Sequence, residues 1–461
     1  MSIIRAYTLP HPPLAIPGVG RGQEDGIGKT ISSFREVSAE IAELKPDSIV
    51  FITPHNVIYA DYFHISPGSS AHGGFSRFND RDTRLDAEYD EELAGEIIRL
   101  AGNAGIPAGY MGERDAELDH GVTVPMWFIN NRYSDYKTVR ISQSGMAPGE
   151  HYRLGQLIAD ASENIGKRTV LIASSDLSHK LKHDGPYGFV PEGPEFDNAV
   201  ADTLSSGDFL ALMLLPPKLR ERAAECGYNS LMALAGCFDG KKVEPRLLSY
   251  EGTYGVGYAI ASFAPGAPDD TRHFLAQFEK IKLEEALETR NGEDAHRNLA
   301  RRSLEHMVKT NGKLPLPDDL PAELLDGKAG VFVSLYKDGS LRGCIGTIAP
   351  TTSSIASEII QNAVSAGLHD SRFDPVVASE LPYLTYKVDL LLPPEPISGS
   401  SELNVRRYGV IVTSGAKRGL LLPNLDGIDT VDEQIAIARQ KAGIASNVPV
   451  NLERFEVIRH E

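Results

Sequence analysis

The sequence predicts an α/β protein in two parts: an N-terminal domain built on a largely parallel sheet, then a smaller α+β domain. Three observations carry this. Apolar β-branched runs alternate with segments of helical spacing up to about residue 263. In the first 180 residues, three of those runs lead into a histidine. After the Pro/Gly-rich stretch at 265–270 the pattern changes. A chain of 461 residues also exceeds the ~250–300 that one hydrophobic core usually serves.

In chain order, Ile3 to Leu9 reads as a strand closed by Pro10 and His11, Ser48 to Thr53 as a strand closed by Pro54 and His55, and Thr169 to Ser174 as a strand running into Asp176 and His179. Glu36–Leu44, Tyr89–Ala104 and Tyr152–Ile165 carry apolar residues at helical spacing. The stretch from Ala223 to Gly236 reads as one helix with Leu231, Leu234 and Ala235 on its apolar face. Tyr250 to Phe263 reads as the last strand of this domain, with a Gly-rich turn. Pro265–Asp270 has the composition of a linker, followed by one long charged helix from Phe274 to Met307. The expected division is therefore 1–265, a linker and helix start at 266–284, and 285–461. Within the last part, Val331–Leu335 and Lys387–Leu392 are strands.

Composition excludes several classes. The net charge is −17, with no Lys/Arg cluster of the kind that phosphate neutralisation requires, so nucleic acid is not an expected partner. No apolar run is long enough to span a bilayer. Met1-Ser2-Ile3-Ile4-Arg5 has no secretory pattern, and Cys226, Cys237 and Cys344 form neither a disulfide framework nor a CxxC metal motif. These features point to a cytoplasmic protein.

In an open α/β sheet, ligands bind beyond the carboxyl ends of the strands. His11 and His55, stiffened by neighbouring prolines, would therefore face one crevice, where a pair of imidazoles suits Fe(II), Zn(II) or Cu. His120 follows Asp119, a carboxylate expected to raise its pKa and make it a proton donor near neutrality. Ser174-Ser175-Asp176-Leu177-Ser178-His179 lacks the G-x-S-x-G of an α/β hydrolase. A third ligand is sought among carboxylates: Glu225 is the first candidate and Glu251 the reserve. Cys226, next to Glu225, would draw the site towards copper or zinc.

His11 in HPPL, His55 in TPHN, Asp119-His120-Gly121 and SSDLSH at 174–179 together resemble the class III extradiol (LigB-like) ring-cleaving dioxygenases and the related Memo proteins. The resemblance implies Fe(II) held by His11, His55 and Glu225. It also implies His179 as catalytic base and His120 in proton delivery or substrate binding. The implied reaction is O2-dependent ring cleavage of a catechol- or aminophenol-like aromatic. The alternative it implies is a Memo-like metal-binding or protein-interaction module working with a radical SAM partner. Homo-oligomerisation is left open.

In the C-terminal part, Leu341-Arg342-Gly343-Cys344-Ile345-Gly346, Asp370-Ser371-Arg372-Phe373-Asp374-Pro375 and Arg418-Gly419-Leu420-Leu421-Leu422-Pro423 resemble the AMMECR-type domain, whose fold and extent the resemblance carries over to about 290–461. Arg342, Cys344 and Arg372 are the residues to watch there. An arginine near a thiol lowers its pKa, but a packed, inert cysteine flanked by Gly343 and Gly346 is the favoured reading, and Asp370-Ser371-Arg372 is expected to form a local salt bridge or cap, the alternative being that Arg342 and Arg372 together bind an anion.

Overall fold

The runs that the sequence marks as buried form the centre of a six-stranded sheet. In the computed structural model, which describes residues 3–112, 117–425 and 427–461, its strands are β1 (Ile3–Leu9), β2 (Ser48–Thr53), β3 (Lys137–Ser142), β4 (Thr169–Ser174), β5 (Lys241–Glu251) and β6 (Tyr258–Pro268). Met1 and Ser2, at the start of the N-terminal stretch read above, lie outside the described residues. The spatial order is β5-β6-β1-β4-β2-β3. β1, β4, β2 and β3 run parallel, while β6 and β5 add an antiparallel edge. β2 and β4 are buried at every position, as expected for strands covered on both faces.

The register decides where function can sit. Leu9 pairs with Ser174, and Ala173 pairs with both Thr8 and Ile52, so β1, β4 and β2 end at one level. The segments bearing His11, Asp176, His179 and His55 therefore leave the sheet side by side.

Helices Glu91–Ala104, Pro148–Asn164 and Tyr228–Gly236 pack in the core on one face, and Gly28–Leu44 and His120–Asn130 in the core on the other. Phe34 stacks on Phe128 with ring centroids 4.3 Å apart. Helices 148–164 and 228–236 cross at two glycines. A Cβ on Gly155 would lie 2.0 Å from the Ala233 carbonyl, and one on Gly236 would lie 1.9 Å from that of Tyr152. Only glycine permits this approach, which fixes the start of helix 228–236 above the sheet.

Three local expectations are corrected. Residues 265–268 are not a linker but the end of β6, with Val243 opposite Pro265 and Lys241 opposite Pro268. β5 lies on only one side of them, so the prolines occupy an edge that needs no second set of amide donors. The long helix is two helices, Phe274–Asn291 and Ala295–Thr310, because Asp294 caps the second by accepting from the Arg297 amide at 3.0 Å. The helix expected from Ala223 begins only at Tyr228, since Ala224 adopts a left-handed φ of 54° and ends the preceding helix.

The chain forms two compact units, 1–279 and 280–461. The second comprises β7 (Gly330–Lys337), β8 (Ser340–Gly346), β9 (Leu384–Leu391), β10 (Glu395–Ile397), β11 (Gly409–Ser414), β12 (Lys417–Leu421), β13 (Asn451–Phe455) and β14 (Val457–His460). These make two sheets, β8-β7-β9-β14 and β10-β13-β11-β12. Helices Ala295–Thr310 and Ile355–Leu368 pack in the core of the first, and Val431–Lys441 in that of the second.

Phe274 and Leu275, beyond the expected domain end, are buried in the N-terminal core. Phe274→Ala is therefore expected to destabilise the N-terminal unit of the full chain by about 3 kcal/mol. Urea unfolding followed by circular dichroism checks this, and a loss below about 1 kcal/mol would place the domain boundary before Phe274.

Candidate metal centre

Ser174, the last residue of β4, donates its hydroxyl hydrogen to the Gly121 carbonyl at 2.6 Å. Its oxygen also lies 2.9 Å from His11 Nδ1, and with the hydroxyl hydrogen committed it accepts there. His11 is thus held as the Nδ1–H tautomer, with the Nε2 lone pair directed away from the sheet. The His11 amide is anchored by Asp176 Oδ1 at 2.8 Å.

His11 Nε2 points at two donors. His55 Nε2 is 2.9 Å away and Cys226 Sγ is 3.5 Å away. The ligand atoms of His11, His55 and Cys226 all lie within 4.8 Å of one another. Burial, reinforced by the neighbouring imidazoles, holds His11 well below the ordinary histidine pKa. His55 is lowered to about 4, by burial first and then by His120. Both rings are neutral at pH 7, the form in which imidazole binds metals. Burial pushes the Cys226 thiol well up, so the thiolate form would depend on a bound cation. Two imidazoles and one sulfur at such distances fit a single transition-metal ion.

The expected ligand Glu225 is not in this cluster. Its Oε2 accepts from the Tyr228 amide at 2.6 Å, capping helix 228–236. The side chain is spent on an otherwise orphaned helix donor, and burial raises its pKa to about 6. The helix starts at Tyr228, after both Glu225 and Cys226, so neither side chain is placed by helical geometry. Cys226 is delivered instead by its backbone. Gln143 Nε2 donates to the Cys226 carbonyl at 2.9 Å, and a Cβ on Gly227 would lie 2.2 Å from Ser175 Cβ. Glu251 is used elsewhere, accepting from the amide and hydroxyl of Thr30 at 2.7 Å each.

His120 opens helix His120–Asn130 and stacks on His55, with centroids 4.0 Å apart and planes at 22°. The expected help from Asp119 is absent. That carboxylate accepts from Thr53 Oγ1 at 2.6 Å and lies 3.7 Å from the buried Arg140 guanidinium. His120 is lowered to about 4 by burial and then by Arg77, so at neutral pH it is an uncharged imidazole rather than an acid. His179 packs against Tyr187, ring centroids 5.2 Å apart, with its pKa lowered by burial and its buried Nδ1 without a hydrogen-bond partner among the described residues.

Asp176, to which the sequence assigns no role, also borders this cluster. Its Oδ2 lies 3.8 Å from His11 Nε2, and burial raises its pKa to about 7. Its place two residues beyond the end of β4, between Ser174 and His179, was the available signal.

Residues 5–261 match the family described as the catalytic LigB subunit of aromatic ring-opening dioxygenase, and residues 297–460 match AMMECR1. The chain belongs to the LigB family. Its C-terminal unit is an AMMECR1 domain. The whole chain is similar to the Clostridium acetobutylicum protein CA_C1420, 40% identical over 470 residues and covering 100% of both. A Thermotoga maritima protein is 48% identical over 173 residues, 37% of this chain and 99% of its own. The crystal structure of the uncharacterized protein JW3007 from Escherichia coli K12 covers 56% of this chain and 99% of its own, with 16% identity and a TM-score of 0.40.

In the AMMECR1 domain, the candidate reactive or anion-binding set, Arg342, Cys344 and Arg372, is already neutralised. Arg342 forks onto Glu380 at 3.1 and 2.9 Å, and Arg372 onto Asp370 at 2.9 and 2.7 Å. Asp370 also accepts from the Cys344 amide at 2.9 Å. Burial raises the Cys344 thiol pKa, so this cysteine is not activated.

Two outcomes follow from the LigB domain. Ser174→Ala removes the partner that orients His11 and should weaken zinc binding about 10–100-fold in a competition titration; unchanged affinity would contradict the tautomer assignment. The second concerns Asp197, which accepts from the Ser178 amide and the Tyr250 hydroxyl at 2.7 Å each, with a pKa raised by burial to about 7. Between about pH 4 and 7 the folded state keeps a proton that the unfolded state releases, so this contribution is full below pH 4 and lost as pH rises through 7. Asp197→Asn should reduce the fall in stability over that window, by up to about 1.4 kcal/mol per pH unit. Urea midpoints at pH 4.5, 6 and 7.5 check it; an unaltered slope would refute it.

Proposed function

We propose that the LigB domain is a single-metal oxidoreductase whose ion is held by His11, His55 and Cys226 and whose substrate is a small catechol- or aminophenol-like aromatic. The observation that carries this is the convergence of an oriented His11 Nε2 on His55 Nε2 and Cys226 Sγ at 2.9 and 3.5 Å. Three protein ligands leave positions free for substrate and O2. When bound, a redox-active metal such as Fe(II) would supply O2 activation and acidify a chelating phenol.

The chain's own residues supply the rest. His120 offers an uncharged ring flanked by His55 and by Phe78, whose centroid is 5.4 Å away, a surface suited to an aromatic face. His179, neutral at pH 7 because burial lowers its pKa, is the proposed base for a phenolic proton. Tyr187, 58% exposed beside it, walls the rim.

A second reading is favoured by one observation, the sulfur. A thiolate draws a site towards copper or zinc and away from the hard, oxygen-rich Fe(II) environment of ring cleavage. On that reading the domain is a metal-binding module serving a partner, a radical SAM protein being the proposed one.

Anaerobic loading with Fe(II), Cu(I) or Zn(II), then metal analysis and O2 uptake with a catechol and aminophenol panel, separates the readings. Cys226→Ser should lose most of the metal, while Glu225→Gln should keep it. His179→Gln should keep metal and lose about 10²–10⁴ in turnover. O2 uptake by the iron form supports the oxidoreductase; tight copper or zinc binding with no uptake supports the module. Full metal content in Cys226→Ser with loss in Glu225→Gln would overturn the ligand set.

A further inference from the structure

Another group of metal-ligating side chains lies within the C-terminal unit, independent of the site in the LigB domain. Asp294 sits just before helix Ala295–Thr310, His296 is in its first turn, and His460 ends β14 opposite Val388 in β9. Asp294 divides its oxygens. Oδ1 caps the helix at the Arg297 amide, 3.0 Å, and has the Arg297 Nε at 3.8 Å, while Oδ2 takes the Nδ1 hydrogen of His460 at 2.5 Å.

A carboxylate on Nδ1 leaves the lone pair of His460 on Nε2. That atom is buried and, among the described residues, has no hydrogen-bond partner. An acceptor buried without a donor is unfavourable, and a ligand on this nitrogen would relieve it. The His296 ring, 6% exposed, stacks on His460 with centroids 3.7 Å apart and planes at 17°. A tetrahedral ion with Zn–N bonds near 2.0 Å holds two nitrogens about 3.3 Å apart, and since each bond lies in its ring plane, one imidazole turns out of this stack to bind it. The donor atoms of Asp294, His296 and His460 lie within 4.8 Å of one another. Exposed Glu323 adds negative potential at His296.

We propose that His296 and His460 Nε2 are nitrogen ligands of a second site, for a divalent transition metal of the zinc class, with Asp294 as the positioning carboxylate that orients His460. Two imidazoles backed by a carboxylate are a donor set for zinc, cobalt or nickel rather than calcium or magnesium. An ion there would join the start of helix Ala295–Thr310 to the last strand, and so couple metal binding to the stability of this domain.

The test uses the full-length chain with His11→Ala, His55→Ala and Cys226→Ala, titrated with Co(II) and Zn(II). One equivalent should remain, with a visible Co(II) d–d spectrum, and Zn(II) should raise the melting temperature. In the same background, His296→Gln and His460→Gln should each weaken binding more than about 100-fold, and Asp294→Asn about 10–100-fold. If the combined variant or His460→Gln does not fold, His296→Gln in the otherwise native chain carries the test by lowering the cobalt stoichiometry from two to one. A stoichiometry unaffected by His296→Gln, or no equivalent left once the first site is removed from a folded chain, overturns the proposal.

Discussion

The hydroxyl of Ser174 makes two hydrogen bonds and can donate only one, and the candidate centre depends on which way that hydrogen goes. Donation to the Gly121 carbonyl forces acceptance from His11 Nδ1, and only then does His11 Nε2 carry a free lone pair aimed at His55 and Cys226. Gly121 is part of the same device, since a Cβ there would lie 2.3 Å from Thr53 Oγ1 and 3.2 Å from Ser174 Oγ. One hydroxyl thus joins the end of β4, the start of helix His120–Asn130 and the first ligand. The parallel register of β1, β4 and β2 brings these pieces to one level, and the antiparallel edge of β6 and β5 encloses the sheet on the β1 side.

Much of this was legible in the sequence because it follows from strand chemistry. β-branched runs closed by Pro-His or Ser-Asp give buried parallel strands, and parallel strands end together, so His11, His55 and the 174–179 segment could be brought to one crevice from one chain of letters. The choice between Glu225 and Cys226 was not legible. It turns on the left-handed Ala224, on the helix donor that Glu225 caps, and on the fit of Gly227 against Ser175. Those are tertiary facts, and helical periodicity across 223–236 hides them. His120 misled for a similar reason: Asp119 is adjacent in sequence, but its carboxylate turns to Thr53 and Arg140.

The C-terminal domain shows the same division. Two of its strands were recognisable as short, largely apolar runs, whereas the state of Cys344 depended on carboxylates distant in sequence, Glu380 and Asp370, which take both arginines. The break at Gly292–Asp294 was signalled by a glycine and a helix-capping aspartate, and a charged, helix-favouring composition masked it. In both units, local pattern fixes the elements and long-range hydrogen bonds decide which side chains are left free for chemistry.

The central claim is that sulfur, not a glutamate oxygen, completes the first site. X-ray absorption at the metal edge of zinc-loaded full-length protein carrying His296→Gln tests it most directly, because the second proposed site is then removed. The account predicts one sulfur scatterer at about 2.3 Å together with nitrogen at about 2.0–2.1 Å, with the sulfur shell lost in Cys226→Ser. A shell of nitrogen and oxygen alone, unchanged by Cys226→Ser, would contradict it.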